Sequence, residues 1–542
     1  MREAAPEYGI IYNWDGNPVG YSEYPQSQEQ FLDKVYAPIG GTQVGAHFWC
    51  VGEHEAEWPS DTMPMVGDSV GRVYETVWGM RRAESLRSMF ERGEDPYEAL
   101  VRRGHDLNVD VFASVRMNDN HLWSVGADGE TAHDNPMWWM DSFRKSMIPE
   151  DMATTVASGL TQVHKEHPQW CLGNDAPMWV STSWNMAIPE VRSLQLNHIS
   201  EACRLAEWDG LELDWQRHAF HLPQNDGYRL RYALTDLQRS VRRLTDKIAD
   251  ERGRPFYLAV RVAATLEACR RIGYDVETWV EEGLCDIVIP AGCSGIDPGV
   301  DMGGFGEILG GTGIKLYPGL DTDFRVRARR IMPHKTWRDA WLRATSAEFW
   351  ARGADGMYVF NWHANETSRR DLLTTIGRPD TLVRRNKVYA VLHGVNAPKG
   401  SLREGVDHND RIYAETPVTL FRTIAGDGPV FRVPFFEEGG AAGGEVLVQL
   451  MLEIERFSIA DELEVHLDGE ILGAPAVINA AELDREDPSD VDENSWLVWS
   501  LNPQGSRAER EVRVRLIARD PRIAADPVIR HVEIHVTYPR EK

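Results

Sequence analysis

No run of about 18 uninterrupted apolar residues occurs in the 542-residue chain, so no segment is long enough to cross a bilayer as a helix. The opening Met1-Arg2-Glu3-Ala4-Ala5-Pro6-Glu7 lacks the apolar core of a signal peptide. Cysteine is scarce, with six residues and no CxxC pair, which excludes a disulfide framework and points to reduced thiols. A cytoplasmic location is expected on those grounds. Basic residues are outnumbered, 58 against 84, for a net charge of −26. So acidic a surface repels nucleic acid and anionic membrane, and neither is expected as a partner. Gly303-Gly304-Phe305-Gly306 and Gly310-Gly311-Thr312-Gly313 lack the spacing of a phosphate-binding turn. His218 with His221, and Glu53-His54-Glu55, do not match a metal-ligand spacing, so neither metal nor cofactor is expected. Nothing in the pattern fixes the oligomeric state, and a homo-oligomer stays open.

Tryptophan is abundant instead, with 19 residues. Trp suits large cores or flat platforms for sugar rings. Eight strand-length apolar runs recur before residue 395, at 9–14, 43–50, 109–115, 210–215, 256–263, 286–291, 314–320 and 356–362. Helical patterns separate them. From Tyr228 to Asp250 the positions Leu230, Leu234, Leu237, Val241, Leu244 and Ile248 keep three-four spacing. Three helix-to-strand junctions carry an acidic residue just before the strand: Asp209, Asp286 and Asp355. Repeated helix–strand units imply a parallel sheet, and eight of them predict a (β/α)8 TIM barrel over residues 1–395. A long insertion at about 117–208 holds Trp123, Trp138, Trp139, Trp170, Trp179 and Trp184. It reads either as a wall of the active site or as a satellite packed on itself. Beyond residue 395 the pattern turns to period two, as in Glu462-Leu463-Glu464-Val465-His466-Leu467 and Glu511-Val512-Arg513-Val514-Arg515-Leu516. That predicts an antiparallel β-sandwich over 396–542, with a structural role favoured.

Chemistry in a barrel gathers at the carboxyl ends of the strands. The fourth strand reads Asp209-Gly210-Leu211-Glu212-Leu213-Asp214-Trp215-Gln216-Arg217-His218. Alternation puts Leu211, Leu213 and Trp215 on the helix side and Glu212, Asp214 and Gln216 inside. Interior carboxylates are costly unless paired or used. A buried ion pair with Arg116 or Arg261 is one outcome. The other is catalysis, with Asp214 exposed at the mouth of the barrel. Arg116, Asn118, Asp119 and His121 end the third strand. Asn13 and Asp15 leave the first, the second carries His47, the seventh Lys315, and Asn361 and Trp362 end the eighth. Such a rim of Asp, Asn, Arg, His and Trp suits a polyhydroxylated ligand.

The segment from Asp209 to His218 resembles the fourth-strand signature of alpha-amylase-type barrels, which reads Asp-Gly-x-Arg-x-Asp-x-x-Lys-His. That resemblance puts a nucleophile at Asp214 and a sugar contact at Arg217 or His218, with Glu212 replacing the family's Arg. It also resembles the family-18 chitinases, but their acid position is occupied here by Gln216. The closer likeness is to the glycosyl-hydrolase-like family 10 group of bacterial barrel proteins. It is carried by Asn13-Trp14-Asp15-Gly16, Gly41-Thr42-Gln43-Val44, Arg116-Met117-Asn118-Asp119, Tyr274-Asp275-Val276-Glu277-Thr278-Trp279 and Asp355-Gly356.

The expected function is therefore a glycoside hydrolase acting on a carbohydrate with a carboxylate pair. Asp214 is nucleophile or base, with Asp119 first and Glu212 second as proton donor. Asn13, Asp15, His47, Arg116, Asn118, His121, Arg217, His218, Arg261, Lys315, Asn361 and Trp362 are the expected sugar contacts. Two alternatives stand beside it: a carbohydrate-binding pseudoenzyme, and a barrel lyase acting on an acidic sugar.

Overall fold

The computed structural model describes residues 3–14, 24–52, 55–68, 71–74, 77–118, 161–173, 183–217, 219–292, 299–321, 335–360, 362, 367–391, 415–423, 426–437, 446–479, 494–502 and 508–538. Nine parallel strands form one curled sheet. They are β1 (Ile10–Trp14), β2 (Val44–Cys50), β3 (Asp110–Arg116), β4 (Gly210–Asp214), β5 (Tyr257–Ala263), β6 (Ile287–Ala291), β7 (Lys315–Leu316), β8 (Gly319–Asp321) and β9 (Met357–Phe360). Their order is β7-β6-β5-β4-β3-β2-β1-β9-β8, as in a TIM-like barrel. The run expected as one strand at 314–320 is two short ones, β7 and β8. Pro318 lies between them and has no N–H to give a ladder. Pairing continues across the break, because Tyr317 N–H donates to the Val288 carbonyl (3.0 Å) and Tyr358 N–H to the Pro318 carbonyl (3.1 Å).

Two buried layers follow from strand alternation. Ile11, Ala46, Phe48, Phe112, Ala259, Ile287, Ile289, Tyr317, Tyr358 and Phe360 share an inner cluster. The opposite parity, including Val111, Val115, Leu211, Leu213, Leu258, Val260 and Val359, packs under the helices. The expected long helix spans Gly227–Arg252 and ends at Gly253, whose φ of +66° is the left-handed conformation glycine adopts freely. Among the described residues no helix is long and apolar enough to cross a membrane. Cys50, Cys171, Cys203, Cys269 and Cys285 are buried and stand outside any disulfide.

The three acidic junctions do one job three times over. Asp209 N–H donates to the Val111 carbonyl, Asp286 N–H to that of Leu258, and Asp355 N–H to that of Leu316. In return each carboxylate accepts the N–H of the same partner at 2.8 Å. Each carboxylate also meets a cation: Arg254 at Asp209, Arg242 at Asp286 and Lys315 at Asp355. These clamps sit at the amino ends of β3, β5 and β7.

The remaining strands are antiparallel. They are β10 (Lys387–Ala390), β11 (Val418–Thr419), β12 (Val430–Pro434), β13 (Leu447–Glu455), β14 (Glu462–Leu467), β15 (Glu470–Ile471), β16 (Ala476–Asn479), β17 (Asn494–Leu501), β18 (Glu509–Ala518) and β19 (Val528–Thr537). One sheet runs β10-β19-β13-β17-β16, with β11 on β19, and a second runs β12-β18-β14-β15. Leu450 and Ile534 from the first share a buried cluster with Val433, Val465 and Val512 from the second. β10 precedes the expected boundary at residue 395, so the antiparallel unit takes in chain from before it.

Asp286→Ala removes an amide acceptor and the bidentate partner of Arg242 (2.7 and 2.8 Å). Urea unfolding should show a loss of about 1.5–3 kcal/mol, the range for hydrogen bonds to charged groups.

Candidate active site

β4 sits between β3 and β5, with Asp214 in register with Arg116 on one side and Arg261 on the other. All three side chains are buried. Asp214 does not open onto solvent as expected: it is 1% exposed. Its carboxylate receives Arg261 Nη1 at 3.2 and 3.0 Å, and its Oδ1 also accepts the N–H groups of Gln216 (3.0 Å) and Arg217 (2.9 Å). The guanidinium lies over the Phe360 ring at 4.1 Å and donates from Nη2 to the Gly292 carbonyl. Of the two arginines offered as partners by the sequence, Arg261 is the one bonded to Asp214. Arg217 leans toward the same ring, at 5.8 Å.

Glu212 lies one step deeper on the same face. Its Oε2 accepts Asn13 Nδ2 (2.7 Å) and the Ser114 hydroxyl, and its Oε1 accepts the Tyr358 hydroxyl (2.8 Å). Burial pushes its carboxyl up to about 7, and the neighbouring Asp214 charge adds to this against the pull of the hydroxyls and Arg261. Burial, and then the Glu212 charge, raise the Tyr358 phenol well above its ordinary value, so it stays a donor.

Asn118 ties the end of β3 to two other segments. Its Nδ2 donates to the Phe220 carbonyl (2.7 Å) and to His221 Nδ1 (2.9 Å), while its Oδ1 accepts Trp184 N–H (3.0 Å). Burial pushes His221 down to about 4, which leaves a neutral ring whose Nε2–H meets the Trp215 carbonyl. The Asn118 amide is thus occupied within the protein.

Three expected sugar contacts lie elsewhere. His47 has the outward parity and sits among Tyr12, Tyr36 and Trp49 under the helices. Burial pushes it down to about 3. Lys315 opens β7 at the amino end, bound to Glu7 (2.7 Å) and Asp355 (3.2 Å). Trp362 is fully buried and its indole N–H is taken by the Arg369 carbonyl, so its ring is no platform. Asp15, Asp119, His121, His218 and Asn361 lie outside the described residues. Of the insertion's tryptophans, Trp170 stacks on His167 (4.0 Å) and Trp184 on His164 (3.8 Å). Ser114, Tyr358 and Phe360 were not singled out from the sequence. Strand parity was the available signal, since Ser114 shares the face of Arg116.

His105, Asp110 and Asp209 are close enough together to hold a metal ion. They lie at the amino ends of β3 and β4, away from Asp214, and Asp110 and Asp209 already accept Tyr8 OH and Val111 N–H.

Among solved structures the chain is similar to an Anoxybacillus alpha-amylase, at 11% identity and a TM-score of 0.32, over 94% of this chain and 98% of that one. It is similar to an alpha-galactosidase from Geobacillus stearothermophilus at 9% identity and 0.36, where it spans only 56% of the other chain. It is also similar to alpha-L-fucosidase isoenzyme 1 from Paenibacillus thiaminolyticus, at 10% identity and 0.31, over 94% and 97% of the two chains. No family model matches the chain, and no curated protein does. Likenesses this distant assign no activity.

The Glu212 environment makes stability depend on pH. Below its ordinary value near 4.5 both folded and unfolded states hold the proton; between there and about 7 only the folded state does. Stability therefore falls as pH rises through this window, by at most about 1.4 kcal/mol per pH unit for one proton, and the loss is complete above it. Glu212→Gln should flatten the fall measured by thermal melts from pH 5 to 8. Glu348, also pushed up to about 7 by burial, leaves a residual slope.

Proposed function

We propose that this chain is a glycoside hydrolase of the glycosyl-hydrolase-like family 10 kind. In this reading β7 and β8 are halves of the seventh strand of a closed eight-stranded barrel, and β10–β19 form a sandwich beside it. The observation that carries the reading is the pair of carboxyl groups on the inner face of β4. Asp214 receives a guanidinium and two amides, a donor set suited to a carboxylate. Glu212, one step below, keeps its proton up to about 7. A carboxyl that keeps its proton, beside a second carboxyl bonded to a guanidinium, is what acid–base cleavage of an acetal can use. One group gives a proton to the departing oxygen, and the other meets positive charge at the anomeric carbon.

Asp214 is the nucleophile or base. Glu212, two positions before it on β4, is a proton store beside it, and Asp119 remains the donor suggested by the sequence. Arg261 orients the Asp214 oxygens, so its role toward sugar is indirect. Asn13 and Ser114 hold Glu212. A second reading is favoured by one fact: Asp214 is buried and ion-paired, which suits a carbohydrate-binding pseudoenzyme equally well.

Turnover of aryl glycosides and oligosaccharides by wild type, Asp214→Asn and Glu212→Gln separates the two. The hydrolase reading expects wild-type turnover, lowered about 10²–10⁴-fold in kcat by Glu212→Gln and at least as much by Asp214→Asn. Sugar affinity without turnover in the wild type establishes the binder. Full activity in Asp214→Asn sinks the assignment of that residue.

A further inference from the structure

Beside Asp214 a whole carboxamide has no counterpart. Gln216 is fully buried, and among the described residues neither Nε2 nor Oε1 of its carboxamide has a hydrogen-bond partner. Burying an unmet amide is costly, and native interiors rarely keep one without a reason. Its neighbours at the same level are satisfied by the protein itself. Asp214 is filled by Arg261 and two backbone amides, and Asn118 by Trp184, Phe220 and His221.

The backbone fixes where Gln216 stands. Its N–H and that of Arg217 both donate to Asp214 Oδ1, so the chain folds over the carboxylate. Trp215 N–H donates to the Arg261 carbonyl (3.1 Å), which extends the ladder beyond β4 by one step. The Trp215 ring then packs under the helices against His221, Tyr274 and Trp279. Gln216 thus stands two positions beyond Asp214, buried in the turn that closes over that carboxylate.

A carboxamide offers one acceptor and two donor hydrogens. Neighbouring ring hydroxyls, each able to give and to receive, satisfy both ends of it at once, whereas a carboxylate or sulfate satisfies only the donors. Among the described residues the arginines beside Asp214 are committed: Arg261 is held by Asp214 and Gly292, and Arg116 and Arg217 are not free. We propose that Gln216 is a specificity residue of this site, taking a pair of neighbouring hydroxyls of a neutral sugar ring with its carboxamide. This inference rests on the carbohydrate reading above and narrows it to uncharged, vicinally hydroxylated sugars.

The test uses the full chain and isothermal titration with methyl glycosides of neutral hexoses and pentoses, their monodeoxy analogues and methyl glucuronides. Gln216→Met removes the unmet amide at nearly constant volume. It should raise the melting temperature and weaken binding of the preferred neutral glycoside about 10- to 100-fold. It should also bring the affinity ratio between that glycoside and its deoxy analogue close to one. Gln216→Asn, with the same amide drawn back by one methylene, should lose less and keep part of that ratio. A purely structural Gln216 would leave the deoxy ratio unmoved. If wild type binds a neutral glycoside and Gln216→Met binds it and its deoxy analogue as wild type does, the role of Gln216 is overturned while the carbohydrate reading stands. Preference for glucuronides overturns the neutral class alone. No binding of any glycoside by the wild type overturns both readings together.

Discussion

Carboxyl groups on the inner face of a curled parallel sheet have no water to turn to, so the protein must supply their donors. That requirement organises the carboxyl end of this fold. Arg261 on β5 reaches across to Asp214 on β4, and the turn after β4 bends so that two more N–H groups reach the same oxygens. The guanidinium lies over the Phe360 ring on β9. Below, Asn13, Ser114 and Tyr358 come from β1, β3 and the β9 strand to meet Glu212. Four strands thus converge on two side chains of a fifth, two positions apart.

The two carboxyl groups differ because their donors differ. Asp214 is met by a full positive charge and by backbone dipoles. Glu212 is met by neutral hydroxyls and an amide, which share a proton readily and offset its burial only in part. Proximity to Asp214 adds to the rise at Glu212, since one negative charge discourages a second. Chemistry that needs an acid and an anion within one strand has its raw material here, and so does a site that merely grips polar ligand groups.

The inward face of β4 was legible because apolar and polar residues alternate without exception from Leu211 to Gln216. His47 was misplaced for the opposite reason: in β2 both faces are apolar, so a period of two does not say which side is the inside. Ala46 and Phe48 turned out to be the inner pair. Lys315 was assigned to the rim because the run at 314–320 reads as one strand, and the break at Pro318 puts that lysine at the start of a two-residue piece. Trp362 was lost to a partner seven residues on, a backbone carbonyl that no spacing rule reveals. The acidic junctions were visible as a recurring pattern, but their reciprocal bonding to the preceding strand depends on where that strand begins.

Those junctions bear on the chemistry from the far end of the sheet. A slip of β4 against β3 by a single residue would send Glu212 and Asp214 outward beneath the helices and bring Leu211 and Trp215 to the axis. Asp209 forbids it, because its main chain and its side chain both grasp Val111 and no shifted alignment satisfies the two together. Asp286 holds β5, and with it Arg261, by the same double grip on Leu258. The alignment of anion and guanidinium is thereby indexed from below, like the teeth of a gear set by its hub, and residues overhead can vary without disturbing it.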